Sequence, residues 1–209
     1  MRIPELEAFE AECRAIEATL AGIDPQAWSG PGLGEWSLHE LTAHLVWSAA
    51  RLAEYAQQPL SGDSPVCDRV EYWQMDLSAE APAVAARARE RAAGLPPERI
   101  EESFARAWTS TAQVVADRGP DALVNTLRGP MRMDDYLATR VVEVCVHHID
   151  IRTAVDLPAA ATPAASRMTM ELLEALLGAP RPRNLGRVRF ILAATGRVPS
   201  DDPRFPVLS

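Results

Sequence analysis

The sequence contains no lysine: all 21 basic residues in its 209 positions are arginine. A lysine nucleophile and a lysine Schiff base are therefore excluded. Cysteine is almost as scarce, with Cys13, Cys67 and Cys145 far apart in the chain. They form neither a CxxC pair nor the spacing of a metal finger, which favours reduced thiols in a reducing compartment.

The sequence also lacks the features of membrane-spanning, secreted and nucleic-acid-binding proteins, and several common catalytic motifs. No apolar run approaches the roughly 18 residues that a membrane helix requires, and the acidic, amphipathic N-terminal segment lacks the apolar block of a signal peptide. The net charge of −8 argues against nucleic acid and anionic membranes as partners. The GxSxG, P-loop and GxGxxG motifs are absent. We therefore expect a soluble, cytoplasmic protein that binds neither nucleic acid nor a membrane.

Strand patterns are few, whereas apolar residues recur at helical spacing, as Leu6, Phe9, Cys13, Ile16 and Leu20 do near the start. We expect an all-α protein, with at most one short extended pair in the connection before the long fifth helix. Residues 1–157 are predicted to form a helical bundle, and residues 158–209 a short helical extension packed on it. The predicted helices cover residues 4–21, 37–57, 79–93, 98–118, 134–155, a segment that starts at Thr162 and Pro163, and 185–195.

The segment "VVEVCVHHID", residues 141–150, is apolar on most sides of a helix. One stripe is polar, and a polar stripe in a buried helix needs partners because unpaired buried charge is costly. Its members recur at spacings of three and four: Tyr136, Arg140, Glu143, His147 and Asp150.

Glu143 and His147 lie four residues apart, so their side chains meet on one helix face. A carboxylate oxygen and an imidazole nitrogen in this arrangement can chelate a divalent metal. A solvated face or an ordinary Glu–His pair has the same spacing, so this motif alone does not establish a metal site.

The second predicted helix, "WSLHELTAHLVW", offers a third ligand. His39 and His44 are five residues apart, about 140° around a helix, which excludes the HExxH signature of metalloproteases. The face that carries His44 is either the wet side of an amphipathic helix or a polar stripe turned inward. If it faces the other stripe, then His44, Glu143 and His147 form a three-ligand site with an open fourth position, as catalytic zinc sites do.

The neighbouring polar residues have simpler interpretations. Ser37 and Glu40 have the spacing of a capping box, although Glu40 also rivals the ligands. His39 is expected to be exposed, and His148 to be a hydrogen-bonded core histidine or a group that supports the site. Cys145 faces away from the polar stripe, which makes it a poor ligand or nucleophile.

The segments "WSLHELTAHLVWSAARL", "YLATRVVEVCVHHIDIRTAVDLP" and "RFILAATGRVPSDDPRFPVLS" resemble the mycothiol-dependent maleylpyruvate isomerase family, part of the wider group of DinB-like metalloenzymes. The resemblance implies a DinB-like four-helix bundle with a divalent metal, usually zinc. It also implies the ligands Glu143 and His147 from one helix and His44 from another. Spacing and resemblance therefore point to the same three residues.

The resemblance further implies a small thiol, mycothiol, that is activated by the metal and acts on a small electrophilic substrate by cis–trans isomerisation or by thiol transfer. Arg140 either holds an anionic group of the substrate or pairs with Glu143. The isomerases of this family are expected to have a larger C-terminal domain than the residues after Leu157 provide. A metal-dependent hydrolase and a non-catalytic metal-binding bundle stay open as alternatives, as does a homodimer.

Overall fold

The computed structural model describes residues 2–74 and 81–208, which are mostly helical. In this part of the chain, two short strands and a few single turns of 3₁₀ helix accompany the α-helices. The strands are β1 (Leu123–Thr126) and β2 (Gly129–Arg132), an antiparallel pair. The helices are α1 (Pro4–Leu20), α2 (Leu38–Tyr55), α3 (Ala81–Gly94), α4 (Ile100–Arg118), α5 (Met133–Ala154), α6 (Pro163–Leu177) and α7 (Arg187–Ala194).

Four long helices form the bundle. Helix α2 packs against α4 and α5, and α1 packs against the same two, so the four close a ring around one apolar core. Helix α5 is buried on almost every side over residues 136–151. Each helix of the ring buries large apolar side chains in this core, among them Phe9, Leu45, Phe104 and Val144.

The capping box at the start of α2 is present as predicted. The Ser37 hydroxyl accepts the backbone N–H of Glu40, and the Glu40 carboxylate accepts the backbone N–H of Ser37. These bonds satisfy donors that a helix start leaves unpaired. They also fix the residue at which α2 begins, and with it the direction in which His44 projects.

The remaining helices lie outside the ring. Helix α3 packs on α2, helix α6 on α1 and α5, and α7 on α6. Glu12 of α1 ties α6 to the bundle, because its buried carboxylate accepts the Thr162 hydroxyl and backbone N–H at the start of α6.

The predicted all-α fold is confirmed, and the predicted helices appear with ends shifted by one or two residues. The third was expected to start at residue 79, but residues 79 and 80 lie outside the described part of the chain. The extended pair is the β1–β2 hairpin, in which Leu123 pairs with Arg132. No helix in the described ranges is both long and apolar enough to cross a membrane.

Candidate metal centre

Helices α2 and α5 bring the three predicted ligands together. Nε2 of His147 lies 3.3 Å from Oε2 of Glu143, and Nε2 of His44 lies 3.8 Å from the same oxygen. One donor atom from each residue falls within 4.8 Å of the other two. Donors bound tetrahedrally to zinc at 2.0–2.1 Å would be about 3.3 Å apart, so small movements would bring these atoms to that spacing.

The cluster is mostly buried, and Glu143 is its most exposed member. The side chains of His44, His147 and Glu143 are 8, 10 and 18% exposed. Within residues 2–74 and 81–208 the cluster has these three members, and Glu40 is occupied by Ser37 at the helix start. The number of donors therefore matches a three-ligand site rather than a four-ligand one.

His44 supports the fit of a cation, because the described structure leaves its ring without hydrogen bonds. Its Nδ1 is buried and has no partner, and the 3.8 Å between its Nε2 and Glu143 is too long for a hydrogen bond. Trp36 and Trp47 pack beside the ring, with centroids 5.1 and 5.7 Å away. Burial lowers the pKa of His44 and so favours the neutral imidazole, the form that binds metals.

His147 has a different environment. Its Nδ1 lies 3.0 Å from Oδ2 of Asp150, and Asp150 in turn accepts two hydrogen bonds from Arg197. Burial alone would lower the pKa of His147, but Asp150 and Glu143 outweigh it and raise this pKa. Asp150 lies on the polar stripe that the sequence shows, but its link to Arg197, 47 residues further on, gave no signal in the spacing.

Glu143 is held as a carboxylate. Burial raises its pKa, but His147, His44 and the charge of Arg140 outweigh burial and keep the pKa well below its usual value. Arg140 itself is buried, donates to the Ser48 hydroxyl at 3.1 Å and lies 4.0 Å from Oε1 of Glu143. A long ion pair is thus present, and the Nε of Arg140 also donates to the Thr139 hydroxyl at 3.2 Å.

A row of aromatic rings and guanidinium groups adjoins the centre. The guanidinium groups of Arg51 and Arg91 lie 4.7 and 4.1 Å from the centroid of Trp47, whose ring neighbours His44. Arg51 also stacks over Tyr55, whose ring neighbours Tyr136, and Arg140 stacks over Tyr136, 4.8 Å from its centroid. Three arginines therefore lie near the candidate metal centre, of which Arg51 is paired with Glu54 and Arg140 lies 4.0 Å from Glu143.

The structure also shows the environments of three further residues about which the sequence allowed predictions: His148, His39 and Cys145. His148 is a hydrogen-bonded core histidine, with Nδ1 bonded to Glu12 and Nε2 lying 2.9 Å from the Thr19 hydroxyl. The expectation that His39 is exposed is wrong, because it is half-buried and its Nε2 bonds to the Leu95 carbonyl oxygen. The sequence could not predict this bond, because the position of the Leu95 carbonyl depends on how α3 packs on α2. Cys145 is buried away from the cluster, as expected.

Fold and cluster together define a four-helix bundle with a candidate three-donor metal site between two of its helices. Residues 9–152 match the family described as the mycothiol maleylpyruvate isomerase N-terminal domain. This match spans more than half of the chain, so the chain belongs to that family. A comparison with curated proteins found no match.

Two solved structures share the fold. A crystal structure of the mycothiol-dependent maleylpyruvate isomerase superposes with a TM-score of 0.62 at 16% identity, covering 95% of this chain and 90% of that one. A histidine-to-alanine mutant of the isomerase gives a TM-score of 0.62 at 15% identity, with the same coverage. About a tenth of the solved chain lies outside the match, and the expectation of a larger C-terminal domain in the isomerases stays a prediction.

Proposed function

We propose that the protein is a divalent-metal-dependent enzyme that uses a small thiol of the mycothiol class to isomerise a small, anionic electrophile. One observation carries the proposal. In a member of this family, two buried histidines and a glutamate bring three possible donor atoms within 4.8 Å of one another. The Nε2 of His44 lies 3.8 Å from Glu143, too far for a hydrogen bond, and so is free to bind a cation.

The residues of the centre would have two roles: some would bind the cation, and others would position the reactants. His44, Glu143 and His147 would hold the cation through two neutral imidazoles and a carboxylate, a donor set that suits Zn²⁺. When bound, a divalent cation stabilises a thiolate at neutral pH. The buried thiols of Cys13 and Cys145 do not provide this nucleophile, because burial raises the pKa of both. An external thiol fits better.

The charge around the centre supports an anionic substrate. Arg140 is buried with one long ion pair, and Arg91, which stacks on Trp47, adds a guanidinium group on the side of His44. The nearby Arg51 is already paired with Glu54. A carboxylate next to an activated double bond would be drawn to this charge and oriented by it. A thiolate would add to the double bond and move its electron pair onto the conjugated carbonyl oxygen of the substrate. The carbon–carbon bond, now single, would rotate. Return of the electron pair would then expel the thiolate and restore the double bond in the other configuration.

Metal analysis tests the first half of the proposal. The wild type is expected to retain about one zinc per chain after purification, and His44→Ala to retain almost none. His39→Ala is the matched control, because this histidine lies on the same helix but bonds to Leu95 outside the cluster. Equal zinc in the wild type and His44→Ala would refute the site.

Thiol binding and product analysis test the second half. Calorimetry with mycothiol should show binding to the zinc-loaded wild type and none to the metal-free protein. With maleylpyruvate as the candidate substrate, isomerisation regenerates the thiol, whereas transfer consumes one thiol per turnover. Zinc retention without any thiol binding would preserve the metal site and refute the proposed cosubstrate.

A further inference from the structure

We propose that Asp150 and Arg197 are positioning residues of the metal centre, so that the segment after α7 is part of the functional site. The proposal rests on the proposed metal binding by His44, Glu143 and His147. It adds two residues that do not touch the cation and act through His147.

The contacts form a continuous chain from the C-terminal segment to the cluster. Asp150, one turn after His147 on α5, is 6% exposed, and its Oδ2 lies 3.0 Å from Nδ1 of His147. Arg197 approaches the same carboxylate with two groups, Nε at 3.2 Å from Oδ1 and Nη2 at 3.0 Å from Oδ2. This paired approach fixes the plane of the carboxylate as well as its distance.

The pairing determines which nitrogen of His147 carries a proton. Asp150 is a carboxylate beside an arginine and can only accept hydrogen bonds, so Nδ1 of His147 must donate. The lone pair of a neutral His147 is then on Nε2, the nitrogen that faces Glu143 at 3.3 Å. A carboxylate that orients a histidine ligand in this way also increases its basicity.

Arg197 is itself held in place by the turn after α7. Its backbone N–H donates to the Leu192 carbonyl, and its Nη1 donates to the Thr195 carbonyl at 2.8 Å. The chain beyond it is also anchored, because the backbone N–H groups of Val207 and Leu208 donate to Ala194. The end of α7 therefore determines where the guanidinium of Arg197 lies, and through Asp150 it orients one ligand of the cluster.

His44 offers an internal contrast, since its Nδ1 has no partner in the described structure. A purely structural ion pair between Asp150 and Arg197 would stabilise the fold without affecting metal affinity. A positioning pair would affect the affinity even in a variant that is fully folded. Metal affinity measured separately from stability distinguishes the two roles.

The test is the zinc dissociation constant, measured by chelator competition on folded full-length variants. Asp150→Asn is expected to weaken zinc binding about 10- to 100-fold, and Arg197→Gln up to about tenfold. Arg197→Lys should recover part of the loss because it keeps the charge and one donor. The double variant should bind no more weakly than Asp150→Asn, since both changes remove the same support. Arg204→Gln, whose partner Asp202 lies on the surface of the same segment, should match the wild type.

The outcomes separate this inference from the proposed function. Loss of zinc in His44→Ala together with wild-type affinity in Asp150→Asn and Arg197→Gln would overturn the inference and leave the metal site standing. A lowered melting temperature with unchanged affinity would overturn it in favour of a structural role. Failure of the wild type to bind zinc would overturn both. If Asp150→Asn does not fold, Arg197→Gln decides the question, because the Arg197 side chain is 20% exposed.

Discussion

At the scale of single residues, two buried histidines show how the same side chain takes opposite roles. Both nitrogens of His148 are satisfied by the protein, one by Glu12 and the other by Thr19. Neither nitrogen of His44 has a hydrogen bond in the described structure. Because buried polar groups are normally paired, the first histidine is explained by the fold, whereas the Nε2 of the second is free to take a ligand. Sequence spacing placed His148 correctly but left the burial of His44 undecided.

This contrast predicts opposite effects of two alanine substitutions. His148→Ala should lower the free energy of unfolding by about 3 kcal/mol, because it leaves the buried Glu12 carboxylate without one of its partners, and it should not affect zinc content. His44→Ala should abolish zinc binding and change the stability of the metal-free protein by less. Urea unfolding of both metal-free variants, with zinc analysis of each, checks this. Zinc loss in His148→Ala at wild-type stability would contradict it.

The three cysteines should differ sharply in reactivity. Cys13 and Cys145 are buried, and burial raises the pKa of Cys145 from 9.0 to about 12, whereas Cys67 is half-buried. Iodoacetamide at pH 8 should therefore label Cys67 in the native protein, and the other two after unfolding in urea. Mass spectrometry of the labelled peptides is the readout, and rapid native labelling of Cys145 would show that the core is more open than described.

The same pKa shift gives a pH dependence of stability. The unfolded chain releases the Cys145 proton near pH 9, whereas the folded chain keeps it until about pH 12. The stability contributed by this thiol is therefore complete below pH 9 and is lost as the pH rises towards 12. The wild type should lose more stability than Cys145→Ala between pH 8 and 10 in parallel urea titrations. Equal losses in the two proteins would contradict the raised pKa.

At the scale of helices, periodicity predicted most of what positions the centre. The polar stripe of α5 and the capping box of α2 follow from local spacing, and the structure contains both. Local spacing cannot show contacts between distant segments. The Asp150–Arg197 pair joins residues 47 positions apart, and the bond from His39 to Leu95 joins residues 56 apart. Both depend on how helices pack, which periodicity does not determine.

The helix start that orients His44 can be tested by itself. Ser37→Ala removes the hydroxyl that accepts from the Glu40 backbone and should lower the free energy of unfolding by about 1 kcal/mol. Ser29→Ala is a suitable control, because Ser29 is exposed at the end of the 3₁₀ helix before α2 and its hydroxyl makes one long hydrogen bond, to the Gln26 carbonyl at 3.5 Å. The free energy of unfolding of the two variants is measured by chemical denaturation. An equal decrease in both would show that the capping box does not stabilise α2.

At the scale of the whole molecule, metal binding should stabilise the fold, because the ligands come from two helices of the bundle ring. Zinc at about 100 times its dissociation constant should add about 2.7 kcal/mol to the free energy of unfolding. For a chain of this size that corresponds to a rise of roughly 5–10 °C in melting temperature. Calorimetric scans with and without zinc measure this, and His44→Ala should show no rise. An equal rise in the variant would place the zinc elsewhere.

The central claim is that the metal held by His44, Glu143 and His147 binds a thiol directly. The most direct measurement is a titration of the cobalt-substituted protein with mycothiol, followed by near-ultraviolet absorption. We expect a saturable sulfur-to-cobalt charge-transfer band in the wild type and in His39→Ala, and no band in His44→Ala. Saturable binding of mycothiol to the cobalt-loaded wild type without any such band would contradict the claim.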